Sequence, residues 1–268
     1  MPTPPLEGLR FSLAGPGRVG SSLAAWLTAT GAEQVAVSGR REGHIPLDAL
    51  ETAGQDLLLI AVPDSALEEV AAELARRPQA RVALHTSGSR DASVLAPLRA
   101  GGSAVGSLHP LKALPQPLPD PAEARGVFFA VDGDAPARDL AVRLAEAWGG
   151  VAAEVPPESR ALYHFAATLA AGGVVTLLAT ASEIAGRLGL PAEVTRGYLE
   201  LCRGALNAAA RTLDAGHPLS EAITGPAARG DEETLKRHFD ALRSLDPERL
   251  PLAEVLARET RRVRGGRR

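Results

Sequence analysis

Apolar positions in the first half of the chain come in short runs, and these alternate with stretches of helical period. Residues 9–15 (LRFSLAG) predict a strand and residues 20–31 (GSSLAAWLTATG) a helix. A second strand is predicted over 34–39 (QVAVSG). The unbroken apolar run in 56–64 (DLLLIAVPD) predicts a strand covered on both faces. A helix over 65–77 follows, with Ser65 able to cap it. Strands are then predicted in 80–88 (ARVALHTSG), 103–111 (SAVGSLHPL) and 126–134 (GVFFAVDGD), a helix in 136–150, and a closing strand in 151–156. Alternation of this kind implies a parallel sheet with helices on both faces.

From Pro156 onward the two-residue period disappears. Residues 156–190 predict one long helix with Pro at its start and Glu158 in its first turn, and the remainder is helical in period. The expected division is therefore a sheet domain over 1–155 and an all-helical domain over 156–268. Ala161–Ser182 contains no charged side chain. Its His164, its three Thr, its two Gly and its many Ala argue against a membrane span, and a helix apolar all round is expected in a core or a subunit interface.

The first strand runs into LAGPGRVGSSLA, which places Gly15, Gly17 and Gly20 between a strand and a helix. In that context the spacing predicts a dinucleotide cradle formed by Gly15, Pro16, Gly17, Arg18, Val19 and Gly20. Gly15 makes the turn, Gly17 admits the pyrophosphate, and Gly20 lets helix and strand approach. Helix N–H groups and the macrodipole then face the anion. The fold class is α/β: an N-terminal Rossmann dinucleotide-binding domain followed by a C-terminal all-helical domain.

The end of the second strand chooses between cofactors. NAD sites carry an acid there, about 20 residues past the glycines. This chain has Ser38, Arg40 and Arg41 instead. A carboxylate would repel a 2′-phosphate and a guanidinium would pair with it, so NADP is expected. Val62, Pro63 and Asp64, together with Thr86, Ser87 and Gly88, end the next two strands and are expected to line the cofactor crevice. An ordinary strand-to-helix turn fits these two stretches equally well.

Composition narrows the field further. With 45% apolar residues and 23% charged, the chain can bury a core, and its net charge of −3 argues against a nucleic-acid partner. The basic Arg261–Arg268 tail reads as a solvated terminus. A single cysteine, Cys202, excludes an internal disulfide and a thiolate cluster, and it reads as a small core residue. MPTPPLEGLR lacks the pattern of a signal peptide, so a cytoplasmic location is expected.

Hydride transfer needs a positioned substrate and a proton donor, for which histidine is suited. Of six histidines, His109 and His164 are the expected substrate-facing groups. His85 ends a strand near the expected nicotinamide, while His44, His217 and His238 read as surface residues. His164, Thr168, Ala171 and Gly172 would share one helix face. Lys112 could orient an anionic substrate, and a solvated lysine fits it as well. No two histidines have the spacing of a metal site. In 224–231 (TGPAARGD), Thr224 is a candidate catalytic group and Arg229 could face a cleft, with an Arg229–Asp231 structural pair as the alternative.

Nearly the whole chain resembles the Rossmann-like proteins that carry a C-terminal domain of unknown function, DUF2520. These are relatives of pyrroline-5-carboxylate reductase, F420-dependent NADP reductases and 6-phosphogluconate- and 3-hydroxyisobutyrate-like dehydrogenases. The resemblance rests on LAGPGRVGSSLA, IAVPDSAL, HTSGS, SLHPLKAL, ALYHFAATLAAGG and ITGPAARGD. It implies that the first helix of the helical domain lines the substrate cleft and that this domain forms a homodimer. Where relatives carry an Asn near the end of that helix, Gly172 stands here, so any anchoring role of that Asn is absent. The expected function is an NADP(H)-dependent oxidoreductase acting on a small keto or hydroxy acid or an imine. A non-catalytic nucleotide-binding or redox-sensing protein is the alternative, and F420 is the weaker option for a partner cofactor.

Overall fold

The structure, a computed structural model, describes residues 5–40 and 43–265. It divides into two compact units, residues 1–171 and 172–268. The shift in composition near residue 155 thus precedes the division by one short helix.

The first unit is built on seven strands: β1 (Arg10–Ala14), β2 (Glu33–Ser38), β3 (Leu57–Ile60), β4 (Val82–His85), β5 (Ala104–Pro110), β6 (Phe128–Gly133) and β7 (Val151–Glu154), in the order β2-β1-β3-β4-β5-β6-β7. Every pairing is parallel except β5 with β6, where Ser107 faces Asp132 and His109 faces Ala130. The wholly parallel sheet expected from the alternation is therefore corrected to a mixed one. The cause is the connection from β5 to β6. It holds the 3-10 turn Pro121–Ala124 and no crossover helix, so β6 returns antiparallel.

The helices of this unit are α1 (Arg18–Ala29), α2 (Leu67–Leu74), α3 (Ala96–Ala100), α4 (Ala135–Ala147) and α5 (Arg160–Thr168). The two-residue period of the strands assigns their sides. Phe11, Leu13, Leu57, Leu59 and Leu84 pack with Trp26 of α1 and Leu144 of α4. Leu58, Ile60, Ala83 and Val105 pack with Leu67 of α2 and Leu98 of α3. Trp26 also meets Trp148 edge-on at 5.5 Å and donates its indole N–H to the Leu118 carbonyl at 2.8 Å. Ser65 does not cap α2, because a 3-10 turn over Asp64–Ala66 intervenes and the helix begins after Ala66 without a side-chain cap.

The second unit contains α6 (Val174–Arg187), α7 (Val194–Asp214), α8 (Pro226–Arg229), α9 (Glu232–Leu245) and α10 (Leu250–Arg264). Helix α6 packs on α7, and α10 packs on α8 and α9. Asp231 accepts from the Thr234 N–H at 3.1 Å and so caps α9, and the alternative Arg229–Asp231 pair is not among the ion pairs of the described residues. Cys202 is half-buried. Between α5 and α6 the chain makes a π-helical turn over Leu169–Gly173. The single long helix expected here runs over Pro157–Arg187 and is interrupted only in its period, by this turn. Gly172 and Gly173 ease the interruption because they lose most entropy in a regular helix.

Candidate active site

Strand order reverses between β1 and β3, and at that point in an open α/β sheet the crevice lies beyond the carboxyl ends of the strands. Here it is bounded by the β1–α1 turn. Gly15 has φ +96°, and a Cβ on it would lie 2.5 Å from the Ala61 carbonyl oxygen. A Cβ on Gly20 would lie 2.2 Å from the Gly15 carbonyl oxygen. Both positions therefore require glycine for the turn and for close packing of helix on strand. Gly17 differs: a Cβ there would meet nothing within 4 Å, so its open side faces the crevice. Gly17 is also the N-cap of α1, with no side-chain cap and no acidic residue in the first turn. The N–H groups of Arg18, Val19 and Gly20 are left for an anion, and the helix dipole reinforces them.

Two adjoining hollows share Gly17, Ala61, Val62 and Pro63. The larger, about 750 Å³, runs past Ser38, Gly39 and Arg40 to Leu47 and Val70. Its carboxylates, Glu69 and Glu73, come from α2 and the end of β2 supplies none. Ser38 is buried at the end of β2, and its carbonyl holds Gly15 N–H at 3.0 Å. Arg40 is exposed, and among the described residues no carboxylate pairs with it. Arg41 lies outside the described residues.

The smaller hollow, about 420 Å³, gathers Arg18, Val19, Asp64, Thr86, Ser87, Gly88, His109, Lys112 and His164. The loop after β4 forms its floor. His85 is fully buried, its Nδ1 accepts from Ser87 N–H at 3.2 Å, and Nε2 lies 3.1 Å from the Asp91 carbonyl. Both ring nitrogens are committed, so His85 pins the loop and is withdrawn from the crevice. Burial lowers its pKa to about 4, so it is neutral at pH 7. Ser87 Oγ accepts from Ser89 N–H at 3.3 Å and Arg90 N–H at 3.1 Å, and Ser89 hydrogen-bonds Asp64.

Gly88 is where this loop meets the two expected histidines. A Cβ there would lie 2.5 Å from His164 Nδ1 and 2.7 Å from His109 Nε2. The two imidazoles stand at 83° to one another with centroids 5.7 Å apart. His109 comes from the end of β5 and His164 from α5, and the close approach of loop backbone to both rings is what requires a glycine. Burial, followed by the proximity of His164 and Arg160, lowers the His109 pKa to about 4. His109 Nδ1 lies 3.1 Å from the Tyr163 hydroxyl. Lys112 is engaged with Glu123 at 3.0 Å. Among the described residues no group of three metal-ligating side chains converges.

A buried ion pair lies along the same face of α5. Arg160 and Asp132 are each about 1% exposed and 3.3 Å apart, Arg160 also bonds Ser107 Oγ, and Asp132 accepts from Ala92 N–H at 3.2 Å. Arg160, Tyr163 and His164 are spaced i, i+3, i+4, so anchoring Arg160 in the sheet aims the other two. Sequence reasoning missed Arg160, Tyr163 and Asp132. The helical spacing of the first two was available as a signal, whereas the match of Asp132 with Ser107 depended on strand register. Thr224 lies in the second unit, exposed, just before Gly225.

Residues 7–110 match a Rossmann-like domain, and residues 127–260 match the model of the domain of unknown function DUF2520. No curated protein matches the chain by sequence. Among solved structures, a Bacteroides fragilis protein named as a candidate NADP oxidoreductase is similar with a TM-score of 0.75 and 21% identity, covering 96% of this chain and 99% of its own. A Thermotoga maritima protein is similar with a TM-score of 0.75 and 20% identity, covering 95% and 98%. Pyrroline carboxylate reductase of Plasmodium falciparum, solved with NADP bound, is similar with a TM-score of 0.60 and 13% identity, covering 96% and 99%.

Proposed function

From the premise that this chain belongs to the DUF2520 family, with a Rossmann-like domain preceding it, we propose that it is an NADP(H)-dependent oxidoreductase acting on a small carbonyl, hydroxyl or imine substrate. The observation that carries the reading is the uncapped N-terminus of α1, opened by Gly17 and flanked by Arg40, which follows a β2 whose carboxyl end carries no acid. The first-turn N–H groups would hold the pyrophosphate, and Arg40 would meet the 2′-phosphate. The larger hollow suits the adenosine half and the smaller one the nicotinamide half and the substrate. Bound there, the reduced nicotinamide would supply the hydride, while His109 and His164 face the reacting group. The names of the structural neighbours, an NADP-bound reductase among them, point the same way.

Titration calorimetry with NADPH and NADH tests the assignment. A charge-assisted hydrogen bond contributes ~1.5–3 kcal/mol, so Arg40→Ala should weaken NADPH binding by roughly 10- to 150-fold and leave NADH nearly unchanged. An unchanged NADPH/NADH ratio would remove the 2′-phosphate assignment. No affinity for either nucleotide would remove the whole reading. Saturable NADPH binding without turnover of any 2-oxo acid or cyclic imine would favour a nucleotide sensor.

We also propose that the helical region pairs with a second copy of the chain. Leu162, Phe165 and Leu169 at the end of the first unit, and Val175 and Leu201 in the second, are each more than half exposed, apolar area that a lone chain in water would be expected to cover. The helical run Pro157–Arg187 is long and apolar enough to cross a membrane, with mean hydropathy 1.6. Its buried ion-paired Arg160, together with His164, favours a protein partner over lipid.

A further inference from the structure

We infer that Tyr163 and His109 form a proton relay whose outer end, His109 Nε2, serves a carbonyl oxygen in the smaller hollow. The inference rests on the reductase reading of that crevice and adds to it a substrate class and a role for Tyr163 that the sequence analysis did not assign.

The geometry assigns the hydrogen positions. The Tyr163 hydroxyl and His109 Nδ1 are 3.1 Å apart, the rings stand at 89°, and among the described residues neither atom has another hydrogen-bond partner. A phenol is the stronger donor and an imidazole nitrogen the stronger acceptor, so the Tyr163 O–H donates to Nδ1. A neutral imidazole then carries its proton on Nε2. That nitrogen is on the opposite edge of the ring, beside Gly88, in a hollow that also holds Val62–Asp64 and the start of α1. His164 does not compete for Nδ1, since its own Nδ1 is buried against Gly88 without a partner.

The charged and titratable groups around His109 and its hollow come from five elements, α1 among them with Arg18. Helix α5 supplies Tyr163, His164 and Arg160, β4 supplies His85, the turn after β3 supplies Asp64, and the segment after β5 supplies Lys112, held by Glu123. This surrounding keeps the imidazole neutral at pH 7. A neutral imidazole can release its N–H only if its other nitrogen is protonated at the same time. Tyr163 meets that need. As the oxygen of a carbonyl that has received a hydride takes its proton, the Nε2–H bond breaks and a substrate O–H bond forms. The Tyr163 O–H bond breaks and an Nδ1–H bond forms. Histidine ends as its other tautomer and tyrosine as phenolate, which regains a proton from water because Tyr163 is only half-buried. The buried Arg160 guanidinium, one turn earlier on α5, favours the phenolate against the effect of burial.

The relay also selects the bond to be reduced. A ketone needs a proton as its alkoxide forms. An iminium arrives already protonated and needs no such donor. The reacting group that fits is therefore a neutral carbonyl.

The test begins with the full chain labelled with nitrogen-15. Long-range proton–nitrogen correlation at pH 7 should show His109 as the Nε2–H tautomer. Tyr163→Phe should lower its tautomer ratio about fivefold, the equivalent of one neutral hydrogen bond. An Nδ1–H tautomer in the native chain, or an unchanged ratio in the variant, overturns the relay without reference to any substrate. With NADPH and pyruvate, 2-oxoisovalerate or oxaloacetate as probes, Tyr163→Phe should cut kcat by about 100-fold or more, the scale of a lost general acid. NADPH affinity should stay within about twofold, since Tyr163 does not line the hollow. Turnover of 1-pyrroline that exceeds that of every 2-oxo acid and is indifferent to Tyr163→Phe also overturns the proposal. Failure of the native chain to bind NADPH would instead remove the reductase reading, and the tautomer measurement would still decide the hydrogen bond.

Discussion

The two units of this chain solve the same problem to different degrees. In the first, Phe11, Trp26, Leu57, Leu58 and Ile60 are fully buried, because a sheet covered on both faces encloses its own apolar side chains. In the second, Ala185, Leu235 and Ala257 are the buried apolar residues among those described, while Leu201 remains 70% exposed. The sheet unit therefore carries its stability within itself. The helical unit has amphipathic helices whose apolar stripes are only partly spent on one another, so Leu201 and its like stay in contact with solvent.

Both tryptophans, Trp26 and Trp148, belong to the sheet unit, so their fluorescence follows its unfolding alone. The largest expected effect is acid destabilisation of that unit. His85 and His109 fall from 6.5 to about 4 on folding. Between those values the unfolded chain holds more protons, so stability is full above about pH 6.5 and is lost as pH drops toward 4. The loss is on the order of 3 kcal/mol from each histidine, read as a falling urea midpoint of tryptophan fluorescence. A midpoint flat over this range would show that neither ring is held neutral by burial.

Next in size, Leu59→Ala should cost about 2–5 kcal/mol by opening a cavity beneath α1 and α4, with no dependence on protein concentration. A concentration-dependent loss would mean that the sheet core is not self-contained. The smallest effect is expected for Leu201→Ser, which should change the tryptophan-monitored midpoint by less than about 0.5 kcal/mol. The same substitution should raise the dissociation constant of a dimer measured by sedimentation. A chain that is monomeric at all concentrations with Leu201 intact would contradict the pairing.

The strands, the glycine cradle and the mostly helical second half were legible because each depends on neighbours a few residues apart. Gly15 and Gly20 announce a tight turn through their spacing, and the run Leu57–Ile60 announces a strand covered on both faces through its lack of polar residues. His109 was legible at a strand end and His164 on the face of the long helix, and the structure brings them together at Gly88. The antiparallel return of β6 was not legible, since strand direction follows from what the connecting segment packs against. The π-helical turn after Thr168 was hidden in a composition equally compatible with a regular helix.

By itself the amino-acid sequence determined the alternation of strands and helices, the glycine-rich turn after β1 and the absence of an acid at the carboxyl end of β2, all of them properties of short-range pattern. Only the tertiary structure decided that Ser107 on β5 faces Asp132 on β6, that Arg160 bonds both, and that Tyr163 thereby meets His109. Residues 107, 132 and 160 share no sequence period. What unites them is strand register and the cost of burying a charge, which is offset only when an opposite charge is placed within reach.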